Sequence, residues 1–370
     1  MGDSRDRVRA LDRLRGLLVL LMALDHANYF VAQRHSSGEY WGGPFPAYPS
    51  AGAFLSRLVT HPAAPGFFFL MGAGMALFEF RRADAGWKPR RIRGHLLLRG
   101  VVLIALQLLV VNRAWELSPG AWSLTVYIGV LAALGGAMIT AAWLVEARAV
   151  FLLIPAALLL IGIELLTPSP HRWGSGFHPL LRLLFIPGGT RALWVNYPLL
   201  PWLGVTFYGL AFGEWLRKAP DKAMRRSLWI GIGALLLFPV LRLGGGFGNI
   251  RPQSSGGWIG FLNVVKYPPS LTFLLLTMGF NLIVLRFFYL FEGQSSTWDP
   301  LLVFGGSPLF FYLTHLFLYA GMGRLFTPGG TSLPGMLLYW LLGLALLYPA
   351  CLGFGIWKRR QSSGSLLRLL

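Results

Sequence analysis

Only one cysteine, Cys351, occurs in the 370 residues. An intrachain disulfide is therefore impossible, and a cysteine-rich metal cluster is excluded. Charge is also scarce: 13% of the residues are charged and 55% are hydrophobic, a balance that belongs to the membrane class rather than to soluble domains. Acidic residues are scarcer still, 14 against 33 Lys and Arg. On a soluble chain a net charge of +19 would suggest a nucleic-acid partner. Here the basic residues gather in short clusters between apolar runs, which suits anionic lipid headgroups and topology control. No RNP, zinc-finger or helix-turn-helix pattern is present, so no nucleic acid is expected as a partner. A polar linker, a soluble segment of domain size and an internal repeat are missing too, and residues 1–370 read as a single transmembrane domain.

What the chain does have is apolar sequence in lengths of about 20 residues, the length a helix needs to cross a bilayer. Ten such stretches run roughly over 12–32, 54–80, 94–113, 121–144, 149–166, 196–216, 225–243, 267–290, 301–325 and 334–357. The expected fold class is all-α, a polytopic integral membrane bundle of about ten transmembrane helices. The N-terminus is basic and then apolar, like a signal peptide. It lacks a small-residue cleavage site and is long enough to span, which reads as a retained first helix. Ten spans also place four basic clusters on one side: Arg5–Arg13, Arg81–Arg93, Arg217–Arg226 and Lys358–Arg360. By the positive-inside rule that side, with both termini, is cytoplasmic. The outer loops, roughly 33–53, 112–120, 167–195, 244–266 and 326–333, are rich in Gly, Pro, Ser and Trp, and the larger ones are long enough to cover a site.

Ionisable residues at membrane depth are expensive, and each is a functional candidate by default. Asp25 and His26 sit near the outer end of the first span, about 16 Å beyond Arg15 at 1.5 Å per residue. His61, in "LVTHPAAPGFFFLMGAGM", and His315, in "SPLFFYLTHLFLY", fall at a similar depth on two other spans. Three imidazoles and a carboxylate thus share the outer half of the bilayer, with Gln107, Asn112 and Asn281 as further polar neighbours. The plainer alternatives are a histidine that only bridges helices, for His315 above all, and an arginine that only marks a helix end, for Arg13. The glycines of "MGAGM" (71–75) either let a slender ligand pass between helices or let the helices pack closely.

The pattern R-G-x-x-x-x-x-M-x-x-D-H over residues 15–26 resembles the transmembrane acyltransferase superfamily, whose signature is an Arg or Lys, ten intervening residues and a His. Within it the chain is similar to the bacterial relatives of heparan-α-glucosaminide N-acetyltransferase. Supporting stretches are "THPAAPGFFFLMGAGMAL" (60–77), "YPLLPWLGVTFYGLAFG" (197–213), "KYPPSLTFLLLTMG" (266–279) and "SPLFFYLTHLFLY" (307–319). The resemblance implies transfer of an acyl group, acetyl above all, from cytoplasmic acetyl-CoA or another acyl-CoA to a sugar amine or hydroxyl on the outer side. The acceptor would be a glycan or a lipid-linked sugar, and the setting a bacterial inner membrane. Membrane lipids are the other expected partners, no metal is expected, and a homo-oligomer is left open. The animal lysosomal members depart from this pattern: their catalytic His lies in the first lumenal loop, near the position of His35.

The chemistry fits these residue types. Imidazole, with an unperturbed pKa of about 6.5, suits removal of a proton from an incoming OH or NH. The catalytic candidates are His26, Asp25, His61 and His315, with His35 as the second choice for the base. Asp25 lies about 100° around the helix from His26 and is expected to orient His61 or His315 instead. Arg15 and then Arg99 are the candidates for holding the anionic end of acyl-CoA. The alternatives are a transporter or flippase, and a non-catalytic protein that keeps the acyltransferase fold.

Overall fold

The computed structural model describes residues 8–34, 38–118, 126–253, 256–292, 296 and 298–361. In these residues the chain is a helical bundle. Helix α1 (Arg9–Ala27) continues as a short π-helical turn over Asn28–Ala32. Then come α2 (Ala51–Leu58), α3 (Ala63–Asp84), α4 (Pro89–Leu106), a second π turn at Gln107–Val111, α5 (Asn112–Glu116), α6 (Val130–Ala141), α7 (Ala149–Leu166), α8 (Pro179–Leu184) and α9 (Leu199–Lys218). The chain continues through α10 (Pro220–Gly244), α11 (Gly257–Leu262), α12 (Leu271–Leu290), α13 (Pro300–Gly306), α14 (Pro308–Phe326) and α15 (Leu333–Arg360). Three short strands, β1 (Val126–Ile128), β2 (Gly188–Gly189) and β3 (Leu193–Val195), form a small sheet in the order β1-β3-β2, parallel between β1 and β3 and antiparallel between β3 and β2.

Local sequence sets many of the boundaries. The Ser50, Ser270 and Ser332 side chains accept from the backbone N–H three residues on, at Ala53, Phe273 and Gly335, and so cap α2, α12 and α15. Asp299 caps α13 through Leu301 N–H. Proline opens α4, α10, α13 and α14, where a missing N–H costs nothing. Gly245, at φ +70°, closes α10 in the left-handed conformation that glycine adopts without strain.

Helix α1 runs through the middle of the bundle and touches α3, α12, α13, α14 and α15, while α3 lies along α9, α9 along α7, α10 along α12 and α4 along α6. Glycine permits several of the closest approaches. A Cβ on Gly72 would meet the Thr206 carbonyl, and one on Gly209 the Phe69 carbonyl, so α3 and α9 touch backbone to backbone; Gly16 and Gly305 do the same for α1 and α13.

Eight described helical segments are long and apolar enough to cross a membrane: Arg9–Ala32, Ala51–Asp84, Pro89–Glu116, Ala149–Leu166, Pro220–Gly244, Leu271–Leu290, Pro308–Phe326 and Leu333–Arg360. The other two expected spans differ. In the stretch 121–144 the helix is the 12-residue Val130–Ala141. In 196–216 it is the 20-residue α9, whose Gly, Trp and Tyr content lowers its hydropathy and which is buried among its neighbours. The stretch 301–325 is broken at Ser307 between α13 and α14. Described members of three basic clusters, Arg81, Arg217 and Lys358, gather at one end of the bundle. Arg15, Arg81, Arg99 and Lys358 line one cavity there, and Arg217 stacks on Phe80 at the end of α3, 5.0 Å from the ring centre.

Candidate active site

The basic end opens into a cavity of about 380 Å³. Arg15, Arg81, His95, Arg99 and Lys358, together with the carboxylate of Asp12, supply its polar wall, and Met71, Gly74, Met75 and Leu134 are among its apolar lining. Arg15 Nη1 donates to Asp12 Oδ1 at 2.6 Å and to the Gly305 carbonyl at 3.2 Å, which fixes its guanidinium at the wall. Among the described residues Arg99 Nε is buried without a hydrogen-bond partner. Arg15 is thus offset by Asp12, whereas among these residues the charge of Arg99 is not, and an anionic ligand in this space would offset it. Arg13 turns elsewhere: its Nε donates to Asp299 Oδ2 at 2.9 Å and its Nη1 to the Phe291 carbonyl at 2.7 Å, fastening α1 to the segment before α13. The glycines of 71–75 divide. Gly72 serves packing against α9, whereas a Cβ on Gly74 would meet nothing within 4 Å, and Gly74 faces the cavity.

A second cavity of about 90 Å³ holds Asp25, His26 and Asn196 within a wall of Tyr29, Tyr40, Trp115, Tyr127, Tyr197, Tyr267 and Tyr312. Val130 and Tyr312 line both cavities. The basic space and the histidine space therefore lie back to back across these two side chains.

His26 and His315, from α1 and α14, are in direct contact. His26 Nδ1 lies 2.7 Å from His315 Nε2, and the rings are stacked with centres 4.9 Å apart. His315 Nδ1 lies 2.8 Å from the Phe311 carbonyl. A carbonyl can only accept, so His315 Nδ1 carries the proton and, in the neutral ring, Nε2 has the lone pair. The bond from His26 must then be Nδ1–H to Nε2, which puts the lone pair of a neutral His26 on its own Nε2. A backbone carbonyl thus sets the tautomer of His315, and His315 sets that of His26.

Asp25 bonds to neither His61 nor His315. Its Oδ1 accepts from Arg57 Nη1 at 2.5 Å and from Thr60 Oγ1 at 3.0 Å. The other edge of Arg57 grips Glu39, Nε to Oε1 and Nη2 to Oε2, both at 2.7 Å. Glu39 is fully buried. Burial alone would raise its pKa, but the charge and hydrogen bonds of Arg57, with His61 and Lys266 adding, lower it to about 2. Lys266, also buried, is lowered to about 8 by burial and by Arg57. The Glu39 carbonyl accepts the N–H groups of Lys266 (2.9 Å) and Tyr267 (3.0 Å), and Trp41 N–H donates to the Tyr267 carbonyl at 2.8 Å. Residues 39–41 and 265–267 thus pair as two short straps that bring Tyr40 and Tyr267 to the histidine cavity. Arg57 joins this pair to Asp25.

Sequence reasoning passed over Glu39 and Arg57. The signal for Arg57 was a lone cation within an expected span; Glu39 gave none, because a carboxylate in a polar loop looks solvated. His61 is buried against Phe273, ring centres 5.5 Å apart, with Nδ1 unpartnered among the described residues, and it lines neither cavity. His35 lies outside the described residues. Asn281 Nδ2 donates to the Pro62 carbonyl at 2.9 Å, and Gln107 Oε1 accepts from Leu131 N–H at 3.2 Å; both are ties between helices. Among the described residues no three His, Cys, Asp or Glu side chains converge as a metal ion requires.

Residues 7–244 match the family described as heparan-alpha-glucosaminide N-acetyltransferase, catalytic. The proteins named heparan-alpha-glucosaminide N-acetyltransferase from Mus musculus and Homo sapiens are each 28% identical to the chain, over 133 and 129 residues, 36% and 35% of it. These alignments cover 18% and 17% of the relatives' own length, so the chain spans less than a fifth of each by this measure. The family match takes in α1, both arginine candidates, His26, His61 and the Glu39–Arg57 pair, and stops before α14 and His315. With well over half its length matched, the chain belongs to the family of the catalytic domain of heparan-alpha-glucosaminide N-acetyltransferase.

Proposed function

We propose that the protein is a membrane acyltransferase that takes an acetyl group from acetyl-CoA at the basic end of the bundle and passes it to a sugar amine or hydroxyl in the tyrosine-lined cavity. One observation carries this reading: a basic space and a histidine space lie back to back, sharing Val130 and Tyr312. The donor is polyanionic at one end and has a slender neutral arm at the other. Arg15 and Arg99, with Arg81 and Lys358, form a wall for its phosphates. Gly74 and the methionines leave room for the arm, so the thioester reaches the level of Tyr312. The positive-inside rule supports a cytoplasmic basic end, and with it an acceptor that arrives from the outer side.

His26 acts as general base. Its Nε2 takes the proton from the attacking amine or hydroxyl, while His315 holds the ring through Nδ1 and spreads the positive charge that forms. The nucleophile attacks the thioester carbon, the tetrahedral adduct collapses with loss of CoA thiolate, and the proton on His26 returns to that sulfur. Asp25, held by Arg57 and Thr60, faces the same cavity and presents an acceptor for a sugar hydroxyl or ammonium. The glucosaminide in the family's description makes a glucosamine-terminated saccharide the first acceptor to try.

The test is release of CoA thiol by the purified protein in lipid vesicles, given acetyl-CoA and glucosamine-terminated saccharides. Acceptor-dependent thiol release with the acetyl group recovered on the saccharide supports the reading. Movement of the saccharide across the vesicle wall without any covalent change would replace it with transport.

A further inference from the structure

Tyr312 of α14 is the aromatic side chain common to both cavities. It is one helical turn from His315, its ring is set edge-on to both His26 and His315 with centres 6.4 and 5.6 Å away, and it is buried at 7% exposure. Among the described residues no side-chain or backbone group is hydrogen-bonded to its hydroxyl. Three other tyrosines of the histidine cavity have such partners: Tyr40 with Asn196, and Tyr197 with Tyr267. An O–H held between two cavities and left to face them is a donor placed where a ligand acceptor passes.

We propose that Tyr312 is a catalytic residue, donating its phenolic O–H to the thioester oxygen as that oxygen becomes an oxyanion. This assignment rests on the acyltransferase reading. The carbonyl must sit where the two cavities adjoin, because the donor enters from the basic side and the nucleophile is deprotonated by His26 on the other. Tyr312 stands at that junction, and a carbonyl group is small enough to bridge the space between its ring and the imidazole. When the nucleophile adds to the carbonyl carbon, the C=O π pair moves onto oxygen, and the Tyr312 O–H stabilises it without giving up its proton. When the C–S bond breaks, the pair returns to re-form C=O and CoA leaves as thiolate. No redox partner or metal is called for. A donor aimed at developing charge in a water-poor site is worth far more to the transition state than to the substrate.

Tyr312→Phe removes the donor and keeps the ring that separates the cavities. The expected result is a fall in kcat of about 100-fold, the size seen when one such donor is lost, with KM for acetyl-CoA within about twofold. Replacement of Tyr312 by 3-fluorotyrosine, a nearly isosteric and more acidic phenol, should shift kcat and leave KM in place. Unchanged kcat in both proteins, or a change confined to KM, would overturn the assignment while leaving an active wild type as an acyltransferase. A wild type that transfers no acetyl group would overturn the acyltransferase reading, and this assignment with it.

Discussion

His26 and His315 lie 289 residues apart in the chain, yet His26 Nδ1 is 2.7 Å from His315 Nε2. The pair forms a one-way relay anchored on the Phe311 carbonyl. If that relay is the base, His26→Ala should lower acetyl transfer by about 10²- to 10⁴-fold, the usual worth of a positioned general base. Acetyl-CoA binding, measured by calorimetry, should remain. An equally active His26→Ala protein would remove His26 from the mechanism and turn attention to His35.

His315 acts through His26, so its loss should be milder and of a different kind. His315→Gln keeps an acceptor near His26 Nδ1, whereas His315→Phe does not. Turnover should rank wild type above Gln above Phe, with KM little changed. Equal losses in the two variants would mean that His315 only fills space.

Arg99 has a buried Nε with no hydrogen-bond partner among the described residues, so Arg99→Ala costs the fold little. Loss of one charge-assisted contact to a phosphate is worth about 1.5–3 kcal/mol, or roughly 10- to 100-fold in acetyl-CoA affinity. Arg15→Ala should weaken binding similarly but also lower the melting temperature, because Arg15 is tied to Asp12 and Gly305. Unaltered acetyl-CoA affinity in both variants would show that the basic cavity is not the donor site.

The Glu39–Arg57 pair makes stability depend on pH. The Glu39 carboxyl is lowered from 4.5 to about 2 in the folded protein. Its contribution is therefore complete above about pH 4.5 and is lost as pH falls from there through about 2. Glu39→Gln should flatten that part of the stability profile. At neutral pH it should cost about 3–5 kcal/mol, because Arg57 is left buried with half its compensation gone. Thermal unfolding in detergent between pH 7 and pH 3 measures both effects, and a Glu39→Gln profile that overlays the wild type refutes them.

Two neighbouring glycines should respond in opposite ways. Gly72→Ala forces a methyl group into the Thr206 carbonyl of α9 and should destabilise the protein. Gly74→Leu meets open cavity, so the fold should survive while acetyl-CoA affinity falls. Intact stability in Gly72→Ala, or full affinity in Gly74→Leu, would contradict this division of roles.

Much of this was legible in the sequence. Long apolar runs gave the helices, and the basic clusters gave the end of the bundle at which Arg15 and Arg99 share a cavity. The Arg15-to-His26 spacing named the first helix as the one that reaches from the basic end to the histidine pair. Depth along a helix follows from residue count, so a level can be read without a structure. Azimuth between helices cannot. His61, expected at the level of His26, packs on Phe273 and lines neither cavity, and Asp25, expected to orient His61 or His315, is bound to Arg57 and Thr60 instead. Glu39 was missed because its burial depends on straps at 39–41 and 265–267 pairing across the chain.

The sequence by itself determined that the chain is an all-α membrane bundle, because hydrophobic run length needs no partner, and the fixed rise of a helix gave an expected order of side chains along each span. Only the tertiary structure decided which of those side chains meet. Those contacts depend on how each helix is rotated against its neighbours, and that rotation is set by close packing at sites such as Gly16–Gly305 and Gly72–Gly209, between residues distant in the chain.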